Sequence, residues 1–100
     1  LSKGVANYSI YSAAKAGLEA ITKGLARELA PEIKVNAIAP GAMLEPPDVT
    51  WTEEQKNKVI DSIPLKRMGS EKDIAEAVKF LANSDYITGQ IIKVDGGRSL

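Results

Sequence analysis

The stretch KVNAIAPG, residues 34–41, decides the fold class of this chain. Its first six residues form a short and mostly apolar run, which is typical of a strand buried on both faces of a parallel sheet. Pro40 and Gly41 then stop the run abruptly, because both residue types favour turns over regular structure. We therefore predict a strand over residues 34–39 that ends at the Pro40-Gly41 turn.

A long helix is predicted before this strand. Apolar residues recur at helical spacing from about Tyr8 to Leu29, and Pro31 marks the end of the helix. We call these residues the apolar stripe; its members are Ala14, Leu18, Ile21, Leu25 and Leu29.

A second stripe on the same helix contains only small residues. This small-residue stripe consists of Ala13, Gly17, Ala20 and Gly24. A glycine inside a helix costs roughly 1 kcal/mol relative to alanine, so two glycines on one face indicate that another element packs closely there. That element is either the same helix of a second copy of the chain or the sheet of the same chain, and the residues alone leave both open.

Two more helices and a second strand are predicted after the first strand. Residues 42–50 contain two prolines and no periodicity, and we interpret them as a loop. Capping boxes at residues 52–55 and 70–73 begin the two helices, of which the earlier ends near Ile63. The later helix carries an apolar face of Ile74, Val78 and Leu81. Residues 90–94 form the second strand, which the turn Asp95-Gly96-Gly97 ends.

The order helix, strand, loop, two helices, strand indicates an α/β fold with a parallel sheet and right-handed crossovers. Only two strands are predicted, and two strands leave sheet edges unpaired. We therefore expect the 100 residues to form part of one doubly wound domain.

Composition excludes several kinds of function. The chain has no cysteine and no histidine, which excludes disulfides, thiolate catalysis and a histidine-based zinc site, and we predict no metal site. Its 13 basic and 13 acidic residues cancel without forming a block of one sign, so neither nucleic acid nor a membrane is an expected partner. No secretory signal or long apolar span is found, and a cytoplasmic location is the plain expectation.

Tyr11 and Lys15 are the candidate pair for catalysis. Four residues apart on a helix, a phenol and an ammonium share one face. A nearby positive charge lowers the pKa of a tyrosine from its usual value of about 10, so the pair could act as a general acid or base. Taken alone, such a pair is more often a solvated helix face that occurs by chance. Tyr8 is the competing tyrosine, but it has no lysine four residues on.

The Pro40-Gly41 turn is the candidate ligand-binding position. Ligands of open α/β sheets bind beyond the carboxyl ends of the strands, and a glycine there lets the backbone approach a flat ring. An ordinary turn at the end of a strand explains the same two residues equally well.

These features together resemble the short-chain dehydrogenase/reductase family, whose landmarks occur here in the family's order over nearly the whole chain. The individual motifs are weak, but the ordered set is very specific. The landmarks are Tyr11-x-x-x-Lys15, the helix end at 25–29, residues 35–41, Pro64-Leu65-Lys66-Arg67, Asp73-Ile74-Ala75, Phe80-Leu81, Thr88-Gly89-Gln90 and Val94-Asp95-Gly96-Gly97.

The resemblance implies the C-terminal half of a single Rossmann-type domain, NADP or NAD as cofactor, and a homodimer or homotetramer formed through the small-residue stripe. Tyr11 would protonate the substrate, while Lys15 would hold the nicotinamide ribose and activate Tyr11. Pro40, Gly41 and Met43 would line the nicotinamide. Substrate contacts would come from Tyr8, Ala42 and Leu44, and the loop of residues 42–50 with the next helix would cover the substrate.

Within the family, residues 8–15, 40–44 and 96–100 look similar to pteridine reductases. Alternatives are a 3-oxoacyl-carrier-protein reductase and a non-catalytic interaction module or inactive fragment. The glycine-rich turn that holds the cofactor pyrophosphate in this family does not occur in the sequence, so we expect the 100 residues alone to bind no cofactor and to turn nothing over.

Overall fold

The computed structural model describes the backbone of residues 3–41 and 50–100 and the side chains of residues 13–41 and 50–100. Three helices and two strands occur in this part of the chain. They are α1 (Lys3–Leu29), β1 (Ala37–Pro40), α2 (Glu53–Asp61), α3 (Glu71–Ala82) and β2 (Ile91–Val94). The predicted order of elements is confirmed, and α1 begins five residues earlier than the apolar spacing indicated.

The two strands pair in parallel. The N–H of Ala37 donates to the carbonyl of Gln90 and the N–H of Gly41 donates to the carbonyl of Val94, both at 2.9 Å. In both bonds the acceptor residue follows the donor residue by the same number of positions along the chain. A constant separation of this kind is the register of a parallel ladder. The parallel sheet predicted from the order of elements is therefore confirmed for these two strands.

β1 starts later than predicted because the residues before it bond to a loop. The Val35 N–H donates to Thr88 Oγ1 at 3.0 Å, and the Gly89 N–H donates to the Val35 carbonyl at 2.8 Å. The Asn36 side chain donates to the Ile87 carbonyl at 3.1 Å and accepts from the Gln90 N–H at 3.0 Å. We call this set of contacts the Asn36 clamp. It fixes the segment that leads into β2.

The expectation that β1 is buried on both faces was wrong. Residues 37–39 are half-buried and Pro40 is exposed. The described part of the chain forms a sheet of only two strands, so each strand has one unpaired edge.

The chain divides into two compact units, one of Leu1–Ala37 with Tyr86–Ile91 and the other of Ile38–Asp85 with Ile92–Leu100. In the first unit, α1 buries Thr22 and Ala26 rather than the predicted apolar stripe. Ala26 lies against Gly89, where a Cβ would be 3.4 Å from the Ala26 Cβ. Leu18 and Ile21 of the apolar stripe are 58% and 60% exposed.

The second unit is organised by two capped helices. Thr52 Oγ1 accepts from the Gln55 N–H at 3.1 Å, and the Gln55 side chain accepts from the Thr52 N–H at 2.8 Å, which completes the predicted box. At α3, the Asp73 carboxylate accepts from the Ser70 N–H at 2.8 Å.

Among the described residues of this second unit, Ile63 and Leu81 are the buried apolar side chains. Val78, on the predicted apolar face of α3, is half exposed. Helix periodicity identifies a set of apolar positions, but the elements that pack against a short helix decide how many of them lose contact with water.

None of the helices in the described part of the chain is long and apolar enough to cross a membrane.

Candidate functional site

The register of α1 places the Tyr11 and Lys15 positions on one face. Both positions belong to α1, and they precede Thr22 and Ala26 by eleven residues, about three turns at 3.6 residues per turn. Positions 11 and 15 therefore continue the face that is buried at Thr22 and Ala26. The side chains of Tyr8 and Tyr11 lie outside the described part of the chain.

Lys15 is half-buried, whereas its helix neighbours Ala14, Ala16 and Gly17 are exposed. A lysine commonly lays its alkyl chain along the protein surface while its ammonium stays in water, so the half-buried state does not by itself assign a role to Lys15. The catalytic role of the pair stays a prediction.

The covered face of α1 is held firmly further along the helix. The Thr22 hydroxyl donates to the Leu18 carbonyl at 2.8 Å, which satisfies a buried polar group. Ala26 packs on Gly89, whose φ of 74° lies in the left-handed region that favours glycine. The Thr88-Gly89 loop thus packs against the C-terminal part of α1.

Pro40 and Gly41 lie at the carboxyl end of β1, as predicted. The structure gives a different reason for the glycine, because a Cβ at Gly41 would lie 2.6 Å from the Cβ and 2.7 Å from the Cα of Asp95. The close approach of Asp95 by itself requires a glycine here. Gly41 therefore cannot be taken as evidence of a cofactor ring, and its role toward the cofactor stays a prediction.

Asp95 begins a tight turn of residues 95–97. Its carboxylate accepts from the Gly97 N–H at 2.9 Å and from the Ser99 N–H at 3.2 Å. Hydrogen bonds from Ser99 and from the Gly97 backbone lower the pKa of Asp95 below its ordinary value. Gly96 and Gly97 have φ values of 62° and 90°, so the turn depends on both glycines.

An open depression of about 480 Å³ lies in the second unit beside this turn. Its lining includes the apolar side chains of Leu65 and Leu100, the Asp95-Gly96-Gly97 turn, and the charged side chains of Arg67 and Lys93. The sequence did not predict it, because its walls come from the segment after α2 and from the chain terminus, which no motif links. Arg67 is paired with Asp73 there.

Three predicted positions, Ala42, Met43 and Leu44, lie outside the described residues. Among residues 3–41 and 50–100, no group of three or more acidic side chains is arranged to hold a metal ion.

Comparison with known proteins decides the family. The sequence model described as "Enoyl-(Acyl carrier protein) reductase" matches residues 1–99. Carbonyl reductase family member 4 of Danio rerio is 46% identical over 99 residues, covering 98% of this chain and 40% of that protein. The chain belongs to the short-chain dehydrogenase/reductase family.

A 3-oxoacyl-(acyl-carrier-protein) reductase of Staphylococcus epidermidis is also similar, with 47% identity over 90 residues. These cover 87% of this chain and 37% of that protein. The chain thus spans well under half the length of the curated relatives it matches.

Solved structures of this family share the fold. A short-chain dehydrogenase of Leptospira borgpetersenii, solved with bound NAD+, has a TM-score of 0.78 and 37% identity, covering 91% of this chain and 35% of its own. A small-chain dehydrogenase in complex with NADPH has a TM-score of 0.73 and 39% identity. The match covers 83% of this chain and 39% of that protein. The Rossmann-type α/β fold predicted from the sequence is therefore confirmed.

Proposed function

We propose that this chain forms the catalytic part of an NAD(P)H-dependent reductase, in which Tyr11 is the proton donor and Lys15 its activator. The observation that carries the proposal is the register of α1, in which positions 11 and 15 lie in line with the buried Thr22 and Ala26, together with the half-buried state of Lys15. Membership of a family of oxidoreductases supports the same reaction type.

NADP or NAD is the proposed cofactor, in line with the NAD+ and NADPH bound by the two related structures. When bound, the reduced nicotinamide supplies the hydride. Lys15 suits the ribose because an ammonium donates up to three hydrogen bonds. Pro40, Gly41 and Met43 line the nicotinamide in this proposal. The pyrophosphate would need residues beyond these 100, since no glycine-rich phosphate turn occurs among them.

Tyr11 completes the reduction by moving one proton. As the substrate carbon gains a hydride, its C=O double bond becomes a single bond and negative charge develops on oxygen. The Tyr11 hydroxyl donates its proton to that oxygen, which leaves an alcohol and a phenolate. The positive charge of Lys15 stabilises the phenolate until solvent returns the proton.

The proposed substrate is a carbonyl compound or a pteridine, with contacts from Tyr8, Ala42 and Leu44. A 3-oxoacyl-carrier-protein substrate is the second candidate, favoured by the Staphylococcus epidermidis relative and by the description of the matching family model. Each class presents a C=O or C=N bond that one hydride and one proton reduce. A cytoplasmic location stays a prediction of the sequence.

Association through α1 is proposed as well. Ala13, Gly17, Ala20 and Gly24 are all exposed, and a Cβ at Gly17 or Gly24 would meet nothing within 4 Å in the described residues. Beside them lie the exposed Leu18 and Ile21, so one continuous side of the helix is apolar or small. A contiguous apolar surface of this kind favours an interface, and we propose a homodimer or homotetramer.

Turnover by variants of the full-length protein tests the catalytic proposal. Tyr11→Phe should reduce kcat at least a hundredfold for the best of three substrates (a small carbonyl compound, a dihydropteridine and a 3-oxoacyl thioester). Tyr86→Phe is the matched control, because Tyr86 is fully exposed, and it should retain normal rates. Normal turnover by Tyr11→Phe would contradict the assignment.

A second pair of variants tests the lysine. Lys15→Met should raise the KM for the cofactor and lower kcat, whereas Lys23→Met, on an exposed position of the same helix, should change neither. Should the full-length protein reduce none of the three substrates while folding normally, the non-catalytic interaction module becomes the better account.

A further inference from the structure

We propose that Asp95 is a site of isoaspartate formation, which the closed turn Asp95-Gly96-Gly97 suppresses and which opening of that turn allows. Asp95-Gly96 is the one place in the sequence where an aspartate or asparagine precedes a glycine. The residues around the turn that carry the inference are described residues of one compact unit. Because the reaction needs only water, it does not depend on the proposed reductase activity.

The reaction begins when the Gly96 nitrogen attacks Cγ, the side-chain carboxyl carbon of Asp95. An N–C bond forms, one water molecule leaves, and a five-membered succinimide ring closes. Water then opens the ring by cleaving one of its two C–N bonds. Cleavage at Cγ restores aspartate, whereas cleavage at the main-chain carbonyl carbon gives isoaspartate. Nothing is oxidised or reduced, and the mass of the chain is unchanged. A glycine favours the attack because no side chain at position 96 crowds the nitrogen.

The hydrogen bonds of the Asp95 carboxylate oppose ring closure. Oδ1 accepts from the Gly97 N–H at 2.9 Å, and Oδ2 accepts from the Ser99 N–H at 3.2 Å. Ring closure expels one of these two oxygens, so at least one of the bonds is lost. Hydrogen bonds from Ser99 and from the Gly97 backbone also lower the pKa of Asp95. They thereby favour the carboxylate over the neutral acid, which loses water more readily.

Neighbouring segments hold the backbone of the turn closed. A Cβ at Gly96 would lie 2.6 Å from Cγ2 of the buried Ile63, and the Leu65 N–H donates to the Gly96 carbonyl at 3.0 Å. Just before the turn, the Gly41 N–H donates to the Val94 carbonyl at 2.9 Å. Ring closure rearranges the main chain on both sides of the Gly96 nitrogen, which these contacts resist. The reaction therefore proceeds from a locally opened turn.

Isoaspartate at position 95 would prevent the turn from closing again. Its main chain runs through Cβ and Cγ, which adds one atom to the backbone before Gly96. A Cβ at Gly41 would already lie 2.7 Å from the Asp95 Cα, so the turn has no space there for a longer main chain. The modification thus converts a transient opening into a lasting loss of the contacts at Gly41 and Leu65.

Peptide mapping of the full-length protein tests the site. The protein is incubated at physiological temperature and neutral pH, in native buffer and in denaturing guanidinium chloride, and is then digested with trypsin. Cleavage after Lys93 and Arg98 releases residues 94–98 as one peptide. Its aspartyl and isoaspartyl forms separate by chromatography, and electron-transfer fragmentation distinguishes them. We expect isoaspartate to form at least tenfold faster in denaturant than in native buffer. No isoaspartate at position 95 in denaturant, or equal rates in both, would overturn the proposal.

Two variants that keep the Asp95-Gly96 pair locate the protection in the turn. Ile63→Ala removes the packing on Gly96, and Gly41→Ala forces a clash with Asp95. Each should accelerate isoaspartate formation in native buffer at least fivefold, and if one of them does not fold, the other carries the test. Leu81→Ala is the matched control, since it removes another buried apolar side chain of the same unit that is not a near neighbour of the turn glycines. It should change the rate less than twofold. Equal acceleration by Leu81→Ala would show that the reaction requires global unfolding, which would refute the role of the turn.

Amide hydrogen exchange tests whether the modification holds the turn open. The isoaspartyl form is separated from aged full-length protein by hydrophobic-interaction chromatography and compared with the unmodified form. We expect the Gly41 and Leu65 amide hydrogens to exchange at least tenfold faster in the isoaspartyl form, because their acceptors belong to the turn and the residue before it. The Gln55 amide, bonded within the capping box of α2, should exchange at the same rate in both forms. Unchanged exchange at Gly41 and Leu65 would contradict the lasting opening. Neither measurement requires turnover.

Discussion

Arg67 holds Asp73 by two parallel hydrogen bonds, from Nη1 to Oδ2 at 2.9 Å and from Nη2 to Oδ1 at 3.0 Å. The same carboxylate accepts from the Ser70 N–H and so also caps α3. One side chain therefore ties the segment after α2 to the start of α3. Hydrogen bonding to Arg67, followed by the bond from the Ser70 backbone, holds the pKa of Asp73 well below its usual range.

Acid should weaken the fold partly through this carboxylate. Because the pKa of Asp73 is lower in the folded than in the unfolded chain, its stabilisation is fully present above the unfolded value of about 3.9 and is lost as pH falls through the lower folded value. We expect Asp73→Asn to flatten the decline of unfolding free energy below about pH 4, measured by urea denaturation at several pH values.

The control for this prediction is Asp61→Asn, at an exposed position. If the free energy of unfolding falls as steeply with decreasing pH in Asp73→Asn as in the parent protein, the bidentate pair does not contribute to acid sensitivity. Arg67→Lys should reproduce most of the effect of Asp73→Asn, since an ammonium cannot form the parallel pair of bonds.

Ile63 should be among the most sensitive apolar positions of the second unit. It is almost fully buried against the turn, and removing a buried isoleucine side chain leaves a cavity that costs about 2–5 kcal/mol. We expect Ile63→Ala to lower the free energy of unfolding by that amount. Leu65→Ala, at a side chain 69% exposed, should cost about 0.5 kcal/mol. Equal losses for both variants would contradict the burial pattern.

The Asn36 clamp should contribute measurably to stability. Asn36→Ala leaves the Ile87 carbonyl and the Gln90 N–H without their partner, which should cost about 1–2 kcal/mol in chemical denaturation. Asn36→Asp keeps the acceptor for Gln90 but loses the donor to Ile87. Its free energy of unfolding should therefore lie between that of the parent protein and that of Asn36→Ala. The exposed Asn57→Ala is the control and should change stability by less than about 0.5 kcal/mol. A neutral Asn36→Ala would show that the clamp does not hold β2 in register.

The small-residue stripe should mediate association. Gly17→Glu places a charge on the exposed small face of α1, which should dissociate the oligomer without unfolding it, as measured by sedimentation velocity and circular dichroism. Ala16→Glu puts the same charge one residue away, on a side of the helix that neither stripe occupies, and should leave the sedimentation coefficient unchanged. An oligomer insensitive to Gly17→Glu would place the interface elsewhere.

Sequence alone determined the elements that depend on neighbours along the chain. The two capping boxes at Thr52 and Ser70 formed as predicted, because each needs only residues three apart. The spacing of Tyr11 and Lys15 on one helix was equally local, and the ordered motifs along the chain indicated the family that the comparison with known proteins confirms.

Tertiary structure decided which surfaces are covered and why certain glycines are needed. The apolar stripe of α1 and the face of Thr22 and Ala26 both obey helical periodicity, and only the packing of Gly89 on Ala26 selects the second. Likewise, Gly41 reads as a turn or a ligand contact in the sequence, yet Asp95, 54 residues further on, occupies the space that a side chain would need. Periodicity fixes the direction of a side chain around a helix or strand, whereas burial depends on segments brought together from distant parts of the chain.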